Sequence, residues 1–124
     1  MDFDQRIQTI CGKALEVLKQ PKLKFRPMRR KARVNTKRGF VIARTNLKTK
    51  LITIDIFTPK QRKPKKISSI LRTLCHEVAH HQKKPYRQRF RGKWIIRQHY
   101  PDFYTQVNKN IKRLKDGKEL GKYF

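Results

Sequence analysis

The chain has 124 residues, enough for a single domain with one modest hydrophobic core. Its 34 Lys and Arg residues against 8 Asp and Glu give a formal net charge of +26, which attracts polyanions strongly. No run approaches the ~18 apolar residues of a membrane span, and the N-terminus lacks the basic-then-apolar order of a secretion signal. We therefore exclude membrane-spanning and secreted classes and expect a cytoplasmic protein, associated with the nucleoid or with other nucleic acid.

The first half of the chain predicts a helix followed by strands. Apolar residues recur with a helical period over residues 4–20. Residues 22–26 alternate in polarity and are interrupted by Pro27, a pattern typical of an edge strand. Residues 40–45 and 51–57 then predict a hairpin, because each run is rich in β-branched residues and a polar turn separates them.

The second half predicts three helices. Residues 65–82 carry an apolar stripe at helical spacing, made of Ile67, Ile70, Leu71, Leu74 and Val78. After a break at Pro85, a helix is expected from residue 86 or 87 to residue 99, with Phe90 and Trp94 as core positions. Pro101 starts a last helix, and the tail from residue 116 is expected to fray. The predicted fold class is α+β: one domain, residues 1–124, with a small, three-stranded, mostly antiparallel sheet and helices packed on one side.

The segment His76-Glu77-Val78-Ala79-His80 carries the clearest chemical signal. Residues four apart share a face of a helix, so His76 and His80 can reach the same metal ion. At 100° per residue both lie opposite the apolar stripe, which argues against a core role. Glu77 is placed to accept a proton from a water molecule at the metal, as the catalytic base of a hydrolase. The alternative is a solvated polar helix face without a metal.

This order of elements resembles the minimal zincin core of SprT-like and YgjP-type (WLM-related, gluzincin-like) metallopeptidases. The resemblance is carried by residues 51–57, by residues 70–80 with the H-E-x-x-H segment, and by residues 86–90. It implies a Zn²⁺ cofactor, hydrolysis of peptide bonds in a protein substrate, and pairing of an extended substrate segment with the sheet. The strand implied for that pairing is the one at residues 51–57 or the one before it.

The third metal ligand is less clear in the sequence. In the family it is typically a histidine a few residues past the motif, with an aromatic residue four positions later, and the matching positions hold Tyr86 and Phe90. We expect Tyr86 to bind zinc as a phenolate. The alternatives are His99, if the next helix folds back over the motif, a residue of a partner, or no third protein ligand at all.

The two cysteines offer a further alternative. Cys11 and Cys75 lack C-x-x-C spacing and are expected to be free thiols. Cys75 falls off the histidine face of its helix and is expected to pack as a small apolar residue. Cys11 could instead complete a closed structural zinc site with His76 and His80.

The basic residues predict contacts with DNA or RNA, mainly through phosphates. The candidates are Arg29, Arg30, Lys31 and Arg33 before the hairpin, Lys63, Lys65 and Lys66 before the motif helix, and Lys83, Lys84, Arg87, Arg89 and Arg91 after it. Aromatic residues lie among the last group and offer surfaces for base stacking, although Phe90 and Trp94 are expected in the core. An alternative function is therefore a non-catalytic nucleic-acid- or ribosome-binding protein that retains a metallopeptidase fold.

Overall fold

A computed structural model describes residues 2–28 and 41–124 of the protein. In chain order the elements are α1 (Phe3–Val17), β1 (Lys24–Pro27), β2 (Ala43–Asn46), β3 (Leu51–Ile54), α2 (Ile67–Gln82), β4 (Tyr86–Phe90), β5 (Lys93–Arg97), α3 (Pro101–Asp116) and a 3-10 helix (Gly121–Tyr123). The α+β class is confirmed. In the described part of the chain, no helix combines the length and apolar character needed to cross a membrane.

Helix α1 and the central strand form one side of the core. Asp2 caps α1 by accepting a hydrogen bond from the Gln5 amide at 2.8 Å. The buried face of α1 packs with Ile52 and Ile54 of β3 and with Ile56 just after it, all with no exposed surface. The helix predicted over residues 4–20 is therefore present, and its apolar stripe faces the core as expected.

The sheet has the order β1-β3-β2, with β1 parallel and β2 antiparallel to β3. The strand predicted over residues 22–26 is present as β1, Lys24–Pro27, at the edge of the described sheet, and it includes Pro27. The prediction of a mostly antiparallel sheet is wrong for one of the two pairings, since the sheet is mixed. Alternating polarity reports which face of a strand is buried, but it does not report the direction of the neighbouring strand.

A charged pair holds the loop between β3 and α2. The Asp55 carboxylate, 1% exposed, accepts hydrogen bonds from the Arg62 guanidinium at 2.8 and 3.0 Å. Burial alone would raise the pKa of Asp55, but these bonds hold it below its ordinary value. The ion pair fixes the approach to α2, whose apolar stripe is buried as predicted.

The region after α2 differs from expectation. Residues 86–99 were expected to form a helix, but they form the β4–β5 hairpin. Arg91 and Gly92 have φ of 51° and 77°, which suits a two-residue turn that matches the twist of the strands. Phe90 and Trp94 are 46% and 60% exposed, so the prediction that they belong to the core is also wrong.

Helix α3 starts at Pro101 as predicted and packs against α2. Its buried Asn110 donates hydrogen bonds to the Cys75 carbonyl at 3.2 Å and to the Gln82 side chain at 2.7 Å. Instead of the two helices expected after α2, the described chain has a hairpin and one α-helix. The tail is not frayed, because Leu120 is 3% exposed and Phe124 packs against the core.

Candidate metal centre

Three histidines converge at the junction of α2 and α3. His76 and His80 lie one turn apart on α2, with ring centroids 5.1 Å apart. The His99 ring, between β5 and α3, is 5.3 Å from that of His76 and 5.0 Å from that of His80. Each ring offers a nitrogen, and these nitrogens all lie within 4.8 Å of one another. The three side chains are therefore close enough to bind one metal ion.

The donor set fits a zinc-like ion. Nitrogen ligands at about 2.0–2.1 Å in a tetrahedral arrangement stand about 3.3 Å apart, so only small ring rotations are needed. Burial, with the neighbouring His76 and His99, lowers the pKa of His80 to about 4. Burial and His99 also lower the pKa of His76. Near neutral pH both rings are therefore uncharged and present the lone pairs that a metal requires.

The Phe103 ring packs against all three imidazole rings. It has no exposed surface, and its ring centroid lies 5.0 Å from that of His76, 4.5 Å from that of His80 and 5.2 Å from that of His99. The Tyr104 ring lies 6.1 Å from that of His99 and 5.2 Å from that of Phe103. Because packed side chains leave little room for rotation, Phe103 limits the orientations of the three imidazoles.

Glu77 is placed beside the cluster as the motif predicts. Its side chain is largely buried, and burial raises the pKa of its carboxyl to about 7. A group with this pKa takes up and releases protons near neutral pH. Glu77 also lines the space next to His76, where a water molecule or a substrate has access.

Two cavities meet at His76 and Glu77. One, of about 420 Å³, extends along Arg44 and Thr45 to His99. The other, of about 570 Å³, extends in the opposite direction along Val41 and Ile42. Together they form a groove beside β2, an outer strand of the sheet in the described part of the chain. The groove therefore runs past the histidine cluster with an edge strand as one wall.

His81 connects that wall to α2. Its Nε2 lies in hydrogen-bonding contact with the hydroxyl of Thr45 on β2, which places this ring on β2 and away from the three-histidine group. His81 follows His80 directly and lies about 100° further around the helix, which explains why it does not join the cluster. The contact positions the edge strand relative to the metal-binding face of α2.

Of the two candidate third ligands, the structure brings His99 to the cluster. Tyr86, the favoured candidate from the sequence, packs its ring 5.0 Å from that of Tyr100 and is not among the described residues that line the groove. A signal for His99 was present in the sequence. The family pattern of a histidine followed by an aromatic residue four positions later occurs at His99 and Phe103. The hairpin separates this pair from the H-E-x-x-H segment.

The cysteines belong to the core and not to the cluster. Cys11 and Cys75 are both buried free thiols, as predicted. Burial raises the pKa of Cys75 to about 12 and raises that of Cys11 further, so neither is a thiolate at neutral pH. Among the described residues, the group that could hold a metal contains His99 and not Cys11, which leaves the closed site with Cys11 without support.

The predicted nucleic-acid contacts fall into separate groups. Arg29, Arg30, Lys31 and Arg33 lie outside the described residues. Lys63, Lys65 and Lys66 precede α2, whereas Lys83, Lys84, Arg87, Arg89 and Arg91 follow it and continue along β4. The 16 residues of α2 span about 24 Å, so these two described groups lie at opposite ends of the motif helix.

A scan against protein-family models, a search of the curated proteins and a search of the solved structures each found no match. What the site can do therefore follows from its own side chains. These are three imidazoles gathered on one buried phenyl ring, a carboxyl with a raised pKa beside them, and a groove along an edge strand.

Proposed function

We propose that the protein is a zinc-dependent metallopeptidase in which His76, His80 and His99 hold the ion. The observation that carries this proposal is the convergence of their ring nitrogens within 4.8 Å of one another, next to Glu77. Zinc held by three protein ligands keeps a position open, polarises a carbonyl group and brings the pKa of water toward about 7. The donor set agrees with the SprT-like resemblance, with His99 in the role first assigned to Tyr86.

Glu77 would act as the general base. Its carboxylate would take the proton from the attacking water and then pass it to the leaving amine of the cleaved peptide bond. A nearby cation favours the ionised form of a carboxyl, so a bound metal would make the proton-accepting form of Glu77 more abundant at neutral pH.

The substrate would be an extended peptide segment paired with β2. Strand β3 is central in the described sheet and is paired on both sides, so the alternative of substrate pairing with residues 51–57 is not favoured. The outer edge of β2 faces the groove, and its backbone groups can add an extended chain by strand pairing. Such binding requires an unfolded or flexible segment and is largely independent of side-chain sequence.

Two arginines suggest a preference near the cleaved bond. Arg44 lines the cavity on one side of Glu77, and Arg72 lines the cavity on the other. The positive charge of these two residues, together with the net charge of +26, favours acidic substrate side chains over basic ones in the groove. We therefore expect faster cleavage of acidic peptides than of basic ones.

We further propose that the basic surface associates the enzyme with nucleic acid. Lys83, Lys84 and the arginines of β4 form no ion pair with any described acidic residue, so their charge is available to phosphates. The alternative is a nucleic-acid- or ribosome-binding protein without catalytic activity. Metal content and peptide hydrolysis distinguish the two.

The test uses the full chain, purified without chelator and loaded with Zn²⁺. Mass spectrometry under native conditions measures the zinc content, and a library of internally quenched peptides measures hydrolysis. One zinc per chain with cleavage that a chelator abolishes supports the proposal. Zinc binding without cleavage of any extended acidic or neutral peptide overturns the peptidase assignment, and the absence of zinc binding overturns the whole proposal.

A further inference from the structure

The β4–β5 hairpin combines positive charge with exposed aromatic surface. From residue 83 to residue 97 there are seven Lys and Arg residues and no acidic residue. Every residue of β4 is exposed, as are three of the five residues of β5. A two-stranded ribbon with so little buried surface is marginal for stability, so the apolar residues on it are not explained by a core.

The strand register places an exposed indole between two guanidinium groups. Arg89 lies opposite Trp94, and Arg87 lies opposite Ile96, so all four side chains share one face. Trp94 is 60% exposed, and the guanidinium carbons of Arg87 and Arg89 lie 5.3 and 5.9 Å from its ring centroid. These distances are within the range of cation–π contacts, which orient the ring and keep both charges beside it.

On the opposite face of the ribbon, two arginines lie beside the smaller ring of Phe90. Phe90 is 46% exposed, and the guanidinium carbons of Arg91 and Arg97 lie 5.2 and 5.7 Å from its ring centroid. Both faces of the ribbon thus present an aromatic surface beside paired positive charges. Among the described residues, none of these arginines forms an ion pair with an acidic side chain.

We infer that the hairpin is a binding site for single-stranded nucleic acid, with a base stacked on Trp94 and neighbouring phosphates on Arg87 and Arg89. Stacking on an aromatic ring, combined with positive charge along the backbone, is the usual chemistry of single-strand binding. A duplex keeps its bases stacked inside, so an exposed indole gains little from it. An acidic peptide would use the arginines but would leave the face of Trp94 unused.

The hairpin also borders the metal centre. Strand β4 follows Pro85, and β5 leads through Gln98 to His99, and all three of these residues line the cavity of about 420 Å³. A strand bound on the ribbon would therefore lie at the entrance to the groove. This placement deepens the proposed function by naming a partner for the enzyme, a single-stranded nucleic acid. Binding of that strand does not depend on a metal.

Trp94 is the chain's only tryptophan, so its fluorescence reports this site directly. The full chain, kept in chelator, is titrated with a 12-nucleotide single strand of DNA or of RNA, with the matching duplex, with heparin and with poly-glutamate. The single strands should quench Trp94 emission by about half or more through base stacking. Equal quenching by heparin, or binding of poly-glutamate alone, overturns the inference. Quenching by RNA and not DNA, or the reverse, would support it and identify the strand.

Variants test the same site by anisotropy of a labelled single strand. Trp94→Ala should weaken binding about 5- to 100-fold, while Trp94→Phe should retain most of the affinity because it keeps a ring for stacking. Arg87→Gln with Arg89→Gln should lower the salt dependence of binding. The matched control, Lys109→Gln with Arg113→Gln on the exposed face of α3, removes the same charge. Equal losses in both double variants, or full affinity in Trp94→Ala, overturn the inference.

The zinc-binding variant separates this inference from the proposed function. His80→Ala should lose zinc but bind the single strand as the parent chain does. If the parent chain proves to bind no zinc and yet shows quenching of Trp94, the peptidase proposal fails and the hairpin site stands. If zinc binds and no single strand quenches the fluorescence of Trp94, the hairpin site fails and the peptidase proposal stands.

Discussion

The Phe103 ring lies 4.5 Å from the His80 ring at an interplanar angle of 28°, so a core residue of α3 stacks on a candidate metal ligand of α2. Phe103 contacts His76 and His99 as well, which places one buried side chain under the whole cluster. The packing of α3 on α2 therefore sets the geometry of the site, and the fold and the candidate metal centre share a residue.

A conservative change at Phe103 should weaken metal binding more than it weakens the fold. Phe103→Leu keeps most of the apolar volume but removes the flat surface under the rings, so we expect zinc affinity to fall about 10-fold. Competition with a chromophoric chelator measures this. Phe103→Ala should in addition destabilise the protein by about 3–5 kcal/mol because it leaves a cavity. Unchanged zinc affinity in Phe103→Leu would show that the imidazoles are oriented by other contacts.

The identity of the third ligand can be settled by a pair of variants. His99→Ala should lower zinc affinity about 100-fold or more, because one of three residues that share the binding free energy is lost. Tyr86→Phe should leave the affinity unchanged, since its ring packs against Tyr100. The same chelator competition serves for both. The opposite pattern would assign the phenolate of Tyr86 as the ligand and would reject the three-histidine site.

Glu77→Gln should separate metal binding from catalysis. The amide keeps the size of the side chain but cannot accept a proton from water, so cleavage should fall by at least about 100-fold while zinc content stays at that of the parent. Glu16→Gln is the matched control, because it makes the same substitution at an exposed position of α1, outside the site. It should retain both zinc and most of the activity. Retained cleavage in Glu77→Gln would mean that another group is the base.

The pH dependence of stability in the metal-free protein contains opposing contributions from histidines with a lowered pKa and from Glu77 with a raised one. The His80 pKa of about 4 lies below its ordinary value of 6.5, so the unfolded chain binds the extra proton and stability falls as pH drops from about 6.5 to 4. The Glu77 pKa of about 7 lies above its ordinary value of 4.5, so stability falls as pH rises from about 4.5 to 7. Between pH 4.5 and 6.5 the two contributions oppose each other.

Single variants should reveal each contribution. In chelator, urea denaturation of Glu77→Gln should show stability that rises with pH between about 4 and 6.5, the slope expected of His80 together with His76 and His81, whose pKa values burial also lowers. His80→Gln should make the slope between about 4.5 and 7 more negative than that of the parent, because the contribution of His80 is removed and that of Glu77 remains. If both variants follow the pH profile of the parent, these side chains are not desolvated in the folded protein.

The sequence predicts α1, α2 and α3 because their apolar residues recur at helical spacing over three to four turns and proline marks their boundaries. It does not predict the hairpin, because Phe90, Trp94 and Ile95 also fit a helical period. The turn depends on two residues with positive φ, only one of them glycine. Because residues 86–99 fit a helical period as well as two strands, the sequence predicts the wrong element after α2.

The same ambiguity explains the choice of Tyr86. A helix of 13 residues would carry the chain about 20 Å away from α2 and leave His99 remote from His80. The antiparallel ribbon instead pairs Tyr86 with Arg97, so the chain returns to its starting point and His99 enters the cluster. The motif therefore predicts the proximity of His76, His80 and Glu77, but the third histidine depends on a long-range return of the chain that periodicity does not encode.

Shortening the hairpin should separate its two roles, which are to return His99 to the cluster and to bind single-stranded nucleic acid. Because Tyr86 and Arg97 are cross-strand partners, an Asn-Gly turn can join them in place of residues 87–96. The variant should bind zinc within about 3-fold of the parent, since His99 still follows a strand that returns to α2. It should lose most of its affinity for single strands, since it lacks both exposed rings and three of the four arginines beside them. Chelator competition and anisotropy measure the two affinities on the same preparation. Loss of zinc with the hairpin would mean that the full ribbon is required to hold His99 at the cluster.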